Sequence, residues 1–429
     1  MLFSSLPQAL SFALATLPVT KALSIPSYSK SHEDGKLGAA ASESSICSKI
    51  GIDILRVGGN AADSIVAVQL CVGVVGMYHS GIGGGGFATV RSANGSYEFI
   101  DFRETAPAAA FETMFSPPLS NSNASLYGGL ASGVPGELRG LEYIHKKYGS
   151  LPWKQLVLPS VHVARYGFNV TYDLFKYMES ATTSYDFLTY DETWAIDFAP
   201  NGTRWFCSLQ RVKNRRGYDM STPSQLNFST HYLDEAMRFG YGQRTLLGDP
   251  SFLSNLTNYE KRMVSESTAA ELRSKIEQYQ TLNVTAYNPA TYDILSDNGT
   301  SATVTADKSG LTIAMTSTIN TLFGSRLMIP ETGVIMNNEM NDFSIPGAIN
   351  AFGYSPSPAN FIKPNKKPLS SISPTIVEYP TAPSTSRTPP QEALASSRKS
   401  FSISARARSK HDVGGKSAPT PFPRSVVPQ

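Results

Sequence analysis

Residues 299–318 read GTSATVTADKSGLTIAMTST. Apolar and β-branched residues alternate with small polar ones, the pattern breaks over Asp307 to Gly310, and the alternation then resumes, which predicts an antiparallel hairpin. A turn centred between Lys308 and Ser309 puts Thr300 opposite Ser317 and delivers Thr316, Ser317 and Thr318 beside Thr300. A threonine hydroxyl is a poor nucleophile unless a base stands next to it. One economical base is the threonine's own α-amine, which titrates near pH ~8. That amine exists only once the bond before Thr300 is broken. Gly299 lacks the Cβ that would crowd an attack of the hydroxyl on the preceding carbonyl, so Gly299-Thr300 is a candidate self-cleavage site. Asn298-Gly299-Thr300 is equally a glycosylation sequon and a turn, and spacing alone does not choose between these readings.

Upstream, Ile46, Ile50 and Ile54 recur at helical spacing from Ser44 and stop at Gly58-Gly59. A second helix starts at Asn60, a good N-cap with Asp63 at N3, and Ala61 to Val75 is apolar nearly all round, so it should be buried. Gly81 to Gly86 satisfies the G-x-G-x-x-G pattern of dinucleotide loops. Such a loop must open a helix, whereas the following residues read as a hairpin turning at Asn94-Gly95, so close backbone approach is the better explanation. Helical patterns recur over Leu138 to Lys147, through Arg165, over Tyr232 to Arg244 and over Glu260 to Gln280. Helices flanking hairpins predict an α/β fold built on antiparallel strands.

The 429 residues carry a formal charge of +3, but residues 380–429 alone hold eight Lys/Arg against two Asp/Glu. The body is slightly acidic, which gives no reason to expect nucleic acid as a partner. That same tail, with eight Pro and ten Ser, has almost no apolar periodicity and is expected to be disordered. At the other end, Ala9 to Val19 is apolar, too short to span a bilayer and followed by the small residue Ala22, as in a signal peptide. Left uncleaved, it would anchor the chain to a membrane. Eight sequons, at Asn94, Asn123, Asn169, Asn201, Asn227, Asn255, Asn283 and Asn298, agree with passage through the secretory pathway to the cell exterior or vacuole. Three cysteines make no disulfide scaffold; Cys47 and Cys71, in apolar helical patterns, read as buried small hydrophobes.

Several motifs, in one order, resemble the γ-glutamyltransferase (glutathione hydrolase) family. They are Gly58-Gly-Asn-Ala-Ala-Asp63, Ser80-Gly-Ile-Gly-Gly-Gly-Gly-Phe87, Arg103-Glu-Thr-Ala-Pro107, Gly299-Thr300, Thr316-Ser-Thr-Ile-Asn320, Phe323-Gly-Ser325, Asn337-Asn-Glu-Met-Asn-Asp-Phe-Ser344 and Pro368-Leu-Ser-Ser-Ile-Ser-Pro374. The likeness covers about Gly38 to Pro200 and Gln225 to Glu378, and is fungal-like. It implies an N-terminal-nucleophile hydrolase fold, an αββα sandwich with central antiparallel sheets, here incomplete. It also implies that Thr300 is the nucleophile after cleavage at Gly299-Thr300 and that Thr318 orients it. Arg103 would pair with the α-carboxylate of the γ-glutamyl group, Ser370 and Ser371 would assist as hydroxyl donors, and Asn320, Glu339 and Asp342 would accept from the α-ammonium. Glutathione and related γ-glutamyl compounds are the implied donors, water, amino acids or dipeptides the acceptors, and large and small fragments of the same chain the partners. No metal or organic cofactor is implied.

The implied organisation is a signal peptide over 1–22, a large-subunit region over 23–299, a small-subunit region over 300–378 and a tail over 379–429. Three features depart from the family pattern. After Cys207 a short unmatched stretch, Ser208 to Ser224, stands where the family carries a longer large-subunit segment. Past Glu378 the Gly-Gly pair of the family's oxyanion hole does not follow, and Gly414-Gly415 lies in an unrelated context. Ala302 replaces the histidine that commonly sits two residues after the nucleophile. The alternative reading is a secreted glycoprotein of the same ancestry, or a truncated or mis-spliced product, without activity.

Overall fold

The computed structural model of the chain describes residues 37–116, 123–199, 223–254, 256–277, 280–288, 290, 292, 300–348 and 355–378. The N-terminal apolar stretch, the 200–222 junction, Gly299, Gly414-Gly415 and the tail lie outside the described residues.

Strand β1 (Gly38–Ala41) leads into α1 (Ser45–Arg56) and α2 (Ala61–Val75). Asn60 caps α2 as its sequence predicts: its side chain accepts from Ala62 and Asp63 while the Asp63 carboxylate accepts from the Asn60 N–H. Twelve of the fifteen α2 residues are buried, so this helix is the middle of the core. Next come β2 (Gly85–Arg91) and β3 (Tyr97–Phe102), then α3 (Glu137–Tyr148), α4 (Trp153–Tyr166), α5 (Tyr172–Ala181), α6 (Phe187–Tyr190) and α7 (Glu192–Phe198). After the junction follow α8 (Pro223–Arg244), α9 (Leu256–Met263) and α10 (Glu266–Lys275). The single helix expected over Glu260 to Gln280 is thus two, because Ser265 accepts from Thr268 N–H and caps a new start.

Strands β4 (Ser301–Asp307) and β5 (Thr312–Thr318) form the expected hairpin at the centre of a five-stranded antiparallel sheet, ordered β1-β4-β5-β2-β3. Its register corrects the sequence expectation by one residue: Ser301, not Thr300, stands opposite Ser317. The cause is Gly310, whose φ of +89° adds a third, left-handed residue to the loop, so that Asp307 N–H bonds Leu311 O. Gly95, at φ +83°, plays the same part between β2 and β3. Continuing the register puts Thr300 opposite Thr318, and strand alternation puts both side chains on one face.

The other face meets the helices. Ala88, Val90, Ile100, Phe102, Ile313 and Met315 pack there against Ile54, Ile65, Val66, Leu141 and Leu156. Among the described residues the sandwich is represented by this helical layer and one large sheet; the other sheet is the two-stranded pair β6 (Met328–Ile329) and β7 (Val334–Ile335). Cys47 and Cys71 are not free small hydrophobes but a disulfide joining α1 to α2, with Cα atoms 5.4 Å apart. Of the eight sequons, the side chains of Asn94, Asn123, Asn169 and Asn283 are described, and all four are exposed. No described helix is long and apolar enough to cross a membrane.

Candidate active site

The Gly81 to Gly86 run opens β2 rather than a helix, which removes the nucleotide-loop reading. Close packing explains its composition. A Cβ on Gly84 would stand 2.0 Å from the Thr318 carbonyl oxygen, and one on Gly86 2.0 Å from that of Thr316. These glycines let β2 lie against the end of β5 and so hold Thr318 in place.

Beyond Thr318 the chain turns sharply. Asn320 has φ +72°, its N–H donates to Thr318 Oγ1 at 2.8 Å, and its Nδ2 donates to Asp342 Oδ1 at 2.9 Å and to the Asn338 carbonyl at 3.1 Å. Glu339 and Asp342 share a single 3-10 turn, Glu339–Asp342, rather than an α-helical face. Asn337 fixes that turn by donating to the carbonyls of Gly83 and Gly133 while accepting from the N–H groups of Gly133 and Glu339.

Arg103 follows directly on β3 and is 4% exposed. Its Nη2 lies 2.5 Å from Asp342 Oδ2 and 2.7 Å from Glu339 Oε2, and its Nη1 lies 3.4 Å from Glu104 Oε2. Burial works against the guanidinium charge, but Glu339, Glu104 and Asp342 outweigh it and hold Arg103 protonated beyond its ordinary range. The acids show the opposite. Burial pushes Glu104 up to about 7 and Glu339 well above the usual carboxylate range, Arg103 offsetting only part of it. Three carboxyls around one guanidinium cannot all ionise cheaply, so the cluster retains protons near neutrality. Glu104 was not singled out from the sequence; its only signal was its place after Arg103 in the R-E-T-A-P motif.

Glu104, Thr105, Ala106, Gly133, Glu339, Met340, Phe343 and Pro368 bound a crevice with no room for even a water molecule, whereas ordinary ligand pockets hold ~300 Å³ or more. Arg103, Asn320, Glu339 and Asp342 are brought together, and Thr318 joins them through Asn320. Ser370 and Ser371 are not joined to this cluster among the described residues. The Ser370 hydroxyl accepts from Ile372 N–H, its carbonyl accepts from Arg244, and Ser371 is half-buried nearby.

Beneath the Thr300–Thr318 face, the helix-facing side of the hairpin is polar at the end nearest Thr300, whereas Ile313 and Met315 join the apolar core. Ser301 donates to Glu43 Oε1 at 3.3 Å, and His79 Nε2 lies 2.6 Å from the same oxygen. Thr303 donates to Gln69, Gln69 donates to Ser80, and Ser317 donates to Glu137 Oε2 at 2.8 Å. Glu137 is 2% exposed, and burial pushes it up to about 8. A carboxyl raised in the folded state, from an unfolded value near 4.5, favours folding most below that lower value and loses the contribution as pH rises to about 8. Thermal stability should therefore fall across pH 5 to 8 by an amount on the order of 3–5 kcal/mol from this group. Glu137→Gln, which cannot ionise, should flatten that slope in melting curves; an unchanged slope would assign it to other groups.

A family model described as Gamma-glutamyltranspeptidase matches residues 47–207 and 205–386. The two pieces meet where the sequence departs from the family pattern. Among curated proteins, the glutathione hydrolase proenzyme of Arthroderma benhamiae is 44% identical over 442 aligned positions, covering 82% of this chain and 75% of that protein. The glutathione hydrolase of Aspergillus flavus is 39% identical, covering 82% of this chain and 72% of that protein. Because 442 positions exceed the 429 residues of the whole chain, the first alignment crosses gaps on this chain's side. Among solved structures, cephalosporin acylase from Bacillus halodurans superposes with a TM-score of 0.57 at 20% identity, covering 79% of this chain and 74% of that one. The two chains share one fold, the expected α/β arrangement of helices on antiparallel strands.

Proposed function

This chain belongs to the gamma-glutamyltranspeptidase family, and from that premise we propose that it cleaves the γ-glutamyl bond of glutathione and related compounds and passes the γ-glutamyl group to water, amino acids or dipeptides. One observation carries the reading. Arg103, Asn320 and the Glu339–Asp342 turn converge, and Asn320 ties them by one hydrogen bond to Thr318, which the hairpin register, continued one residue, places opposite Thr300.

In this reading the precursor splits between Gly299 and Thr300, and the two fragments remain together as a heterodimer. The Thr300 hydroxyl then attacks the γ-carbonyl while the freed α-amine takes its proton and delivers it to the departing amine. A γ-glutamyl ester and cysteinylglycine result when glutathione is the donor. Water, deprotonated by the same amine, releases glutamate; an acceptor amine gives a new γ-glutamyl product instead. Arg103 offers a planar fork to the α-carboxylate, which requires its present pairs with Asp342 and Glu339 to loosen. Those acids and Asn320 then face the α-ammonium. Ionised Glu339 is the better acceptor, so the donor's KM should fall as pH rises through its elevated range. Ser370 and Ser371 would complete the carboxylate site by a local movement of their segment. Passage through the secretory pathway fits the four exposed sequons.

Incubation with glutathione, following glutamate and cysteinylglycine by chromatography, tests the reading. Equimolar release by the wild type is expected. A matured chain that releases neither would mark a non-catalytic member of the family.

A further inference from the structure

Asn320 heads a loop, 320–326, whose backbone needs outside support. Among the described non-glycine residues, left-handed φ occurs at Asn320 (72°), Phe323 (60°), Arg326 (56°) and Asn365 (61°), so three of the four fall within these seven residues, with Gly324 (54°) between them. Conformations of this kind persist where the surroundings over-determine them, and they gather at functional sites.

The surroundings are specific. The Phe323 ring is fully buried, with the rings of Phe187 and Trp194 each edge-on at 5.6 Å and Phe198 at 6.2 Å. Its N–H donates to the Tyr78 carbonyl at 2.8 Å. Trp194 Nε1 donates to the Arg326 carbonyl at 3.1 Å, Arg326 Nη2 donates to the Ala181 carbonyl at 3.1 Å, and the guanidinium lies over Tyr127 and Phe187. From the opposite side Asn338 accepts from Thr321 N–H and donates to Thr321 Oγ1. Helices α5 to α7 thus grip one end of the loop and the acidic turn grips the other, leaving Asn320 one allowed pose.

We propose that Phe323, seated against Phe187 and Trp194, is a positioning residue that fixes Asn320 so that its side chain discriminates the α-amino group of the glutamyl donor. This rests on the glutamyl site proposed above. The aromatic seat does not touch the substrate; it acts by denying Asn320 the right-handed backbone conformations in which its amide would leave Asp342. Edge-on aromatic packing suits the task, since a ring has few rotamers and cannot be replaced by a flexible aliphatic chain without slack.

The test is binding of L-glutamate and of glutarate, which lacks the α-amine, to the purified full-length chain by calorimetry. Phe323→Leu removes the ring from its seat, and Trp194→Phe keeps a ring but removes the N–H held by Arg326. The wild type should prefer L-glutamate; the preference should fall ~10-fold in Phe323→Leu and ~3-fold in Trp194→Phe, as when a site loses its hold on one polar group. Mere instability lowers the binding stoichiometry and leaves the ratio of affinities intact. Should Phe323→Leu not fold, Trp194→Phe decides, and an unchanged ratio there overturns the proposal. A wild type without preference would instead bring down the glutamyl site itself.

Discussion

Arg103→Ala should both unfold more easily and lose donor binding, and the two effects should separate with pH. Arg103 is buried among Glu104, Glu339 and Asp342, and removing its charge leaves three carboxyls close together, Glu104 and Glu339 buried and Asp342 only partly exposed. Breaking such a cluster from the cationic side costs about 3–5 kcal/mol. The acids can relieve this by taking up protons, so the variant should recover stability as pH falls from 8 to 5. The unfolded chain keeps its carboxylates near their ordinary values and takes up fewer protons over that interval. Donor binding should not recover, because no guanidinium remains to meet the α-carboxylate. Arg103→Lys should restore most of the stability but little of the binding, since a point charge lacks the fork. Melting curves and donor KM measured at both pH values check this. A variant as stable as the wild type at pH 8 would contradict the ionic account of the cluster.

The larger effect is expected at Thr300. Thr300→Ala should remain a single chain and lose turnover by on the order of 10⁴-fold or more, as when a covalent nucleophile is removed. The corrected register sharpens this. Continued one residue past β4, it sets Thr318, rather than Ser317, opposite Thr300 on the same face, whereas Ser317 points into the buried network with Ser80 and Glu137. Thr318→Ala should therefore slow maturation and turnover while leaving some of each, and Ser317→Ala should act mainly through stability. Gel electrophoresis of the precursor and turnover of a γ-glutamyl anilide measure both. Equal activity losses at 317 and 318 would mean that the face assignment is wrong.

The hairpin, the Asn60 cap and the buried α2 were legible in the sequence because each rests on local chemistry: alternation, a capping side chain, an unbroken apolar run. The register was not, because a single left-handed glycine at 310 changes the loop by one residue and moves every pair. The Cys47–Cys71 bond was hidden because two cysteines on separate apolar helices look like any buried residues until the helices are placed. The ionic cluster was visible only through likeness to a family. Nothing local distinguishes Arg103, Asn320 and Glu339 from surface residues, and the burial that raises Glu104 and Glu339 is a property of packing. Ser370 and Ser371 rest on that likeness alone: among the described residues the Ser370 carbonyl accepts from Arg244, and no hydrogen bond ties either serine to Arg103.

The central claim is that this fold assembles a nucleophile at Thr300. Intact-mass analysis of the purified wild-type chain, with N-terminal sequencing of the smaller species, tests it most directly. The account predicts two fragments that co-purify, the smaller beginning Thr-Ser-Ala-Thr-Val. A soluble, folded chain that stays whole, or that is cut at another bond, would contradict it.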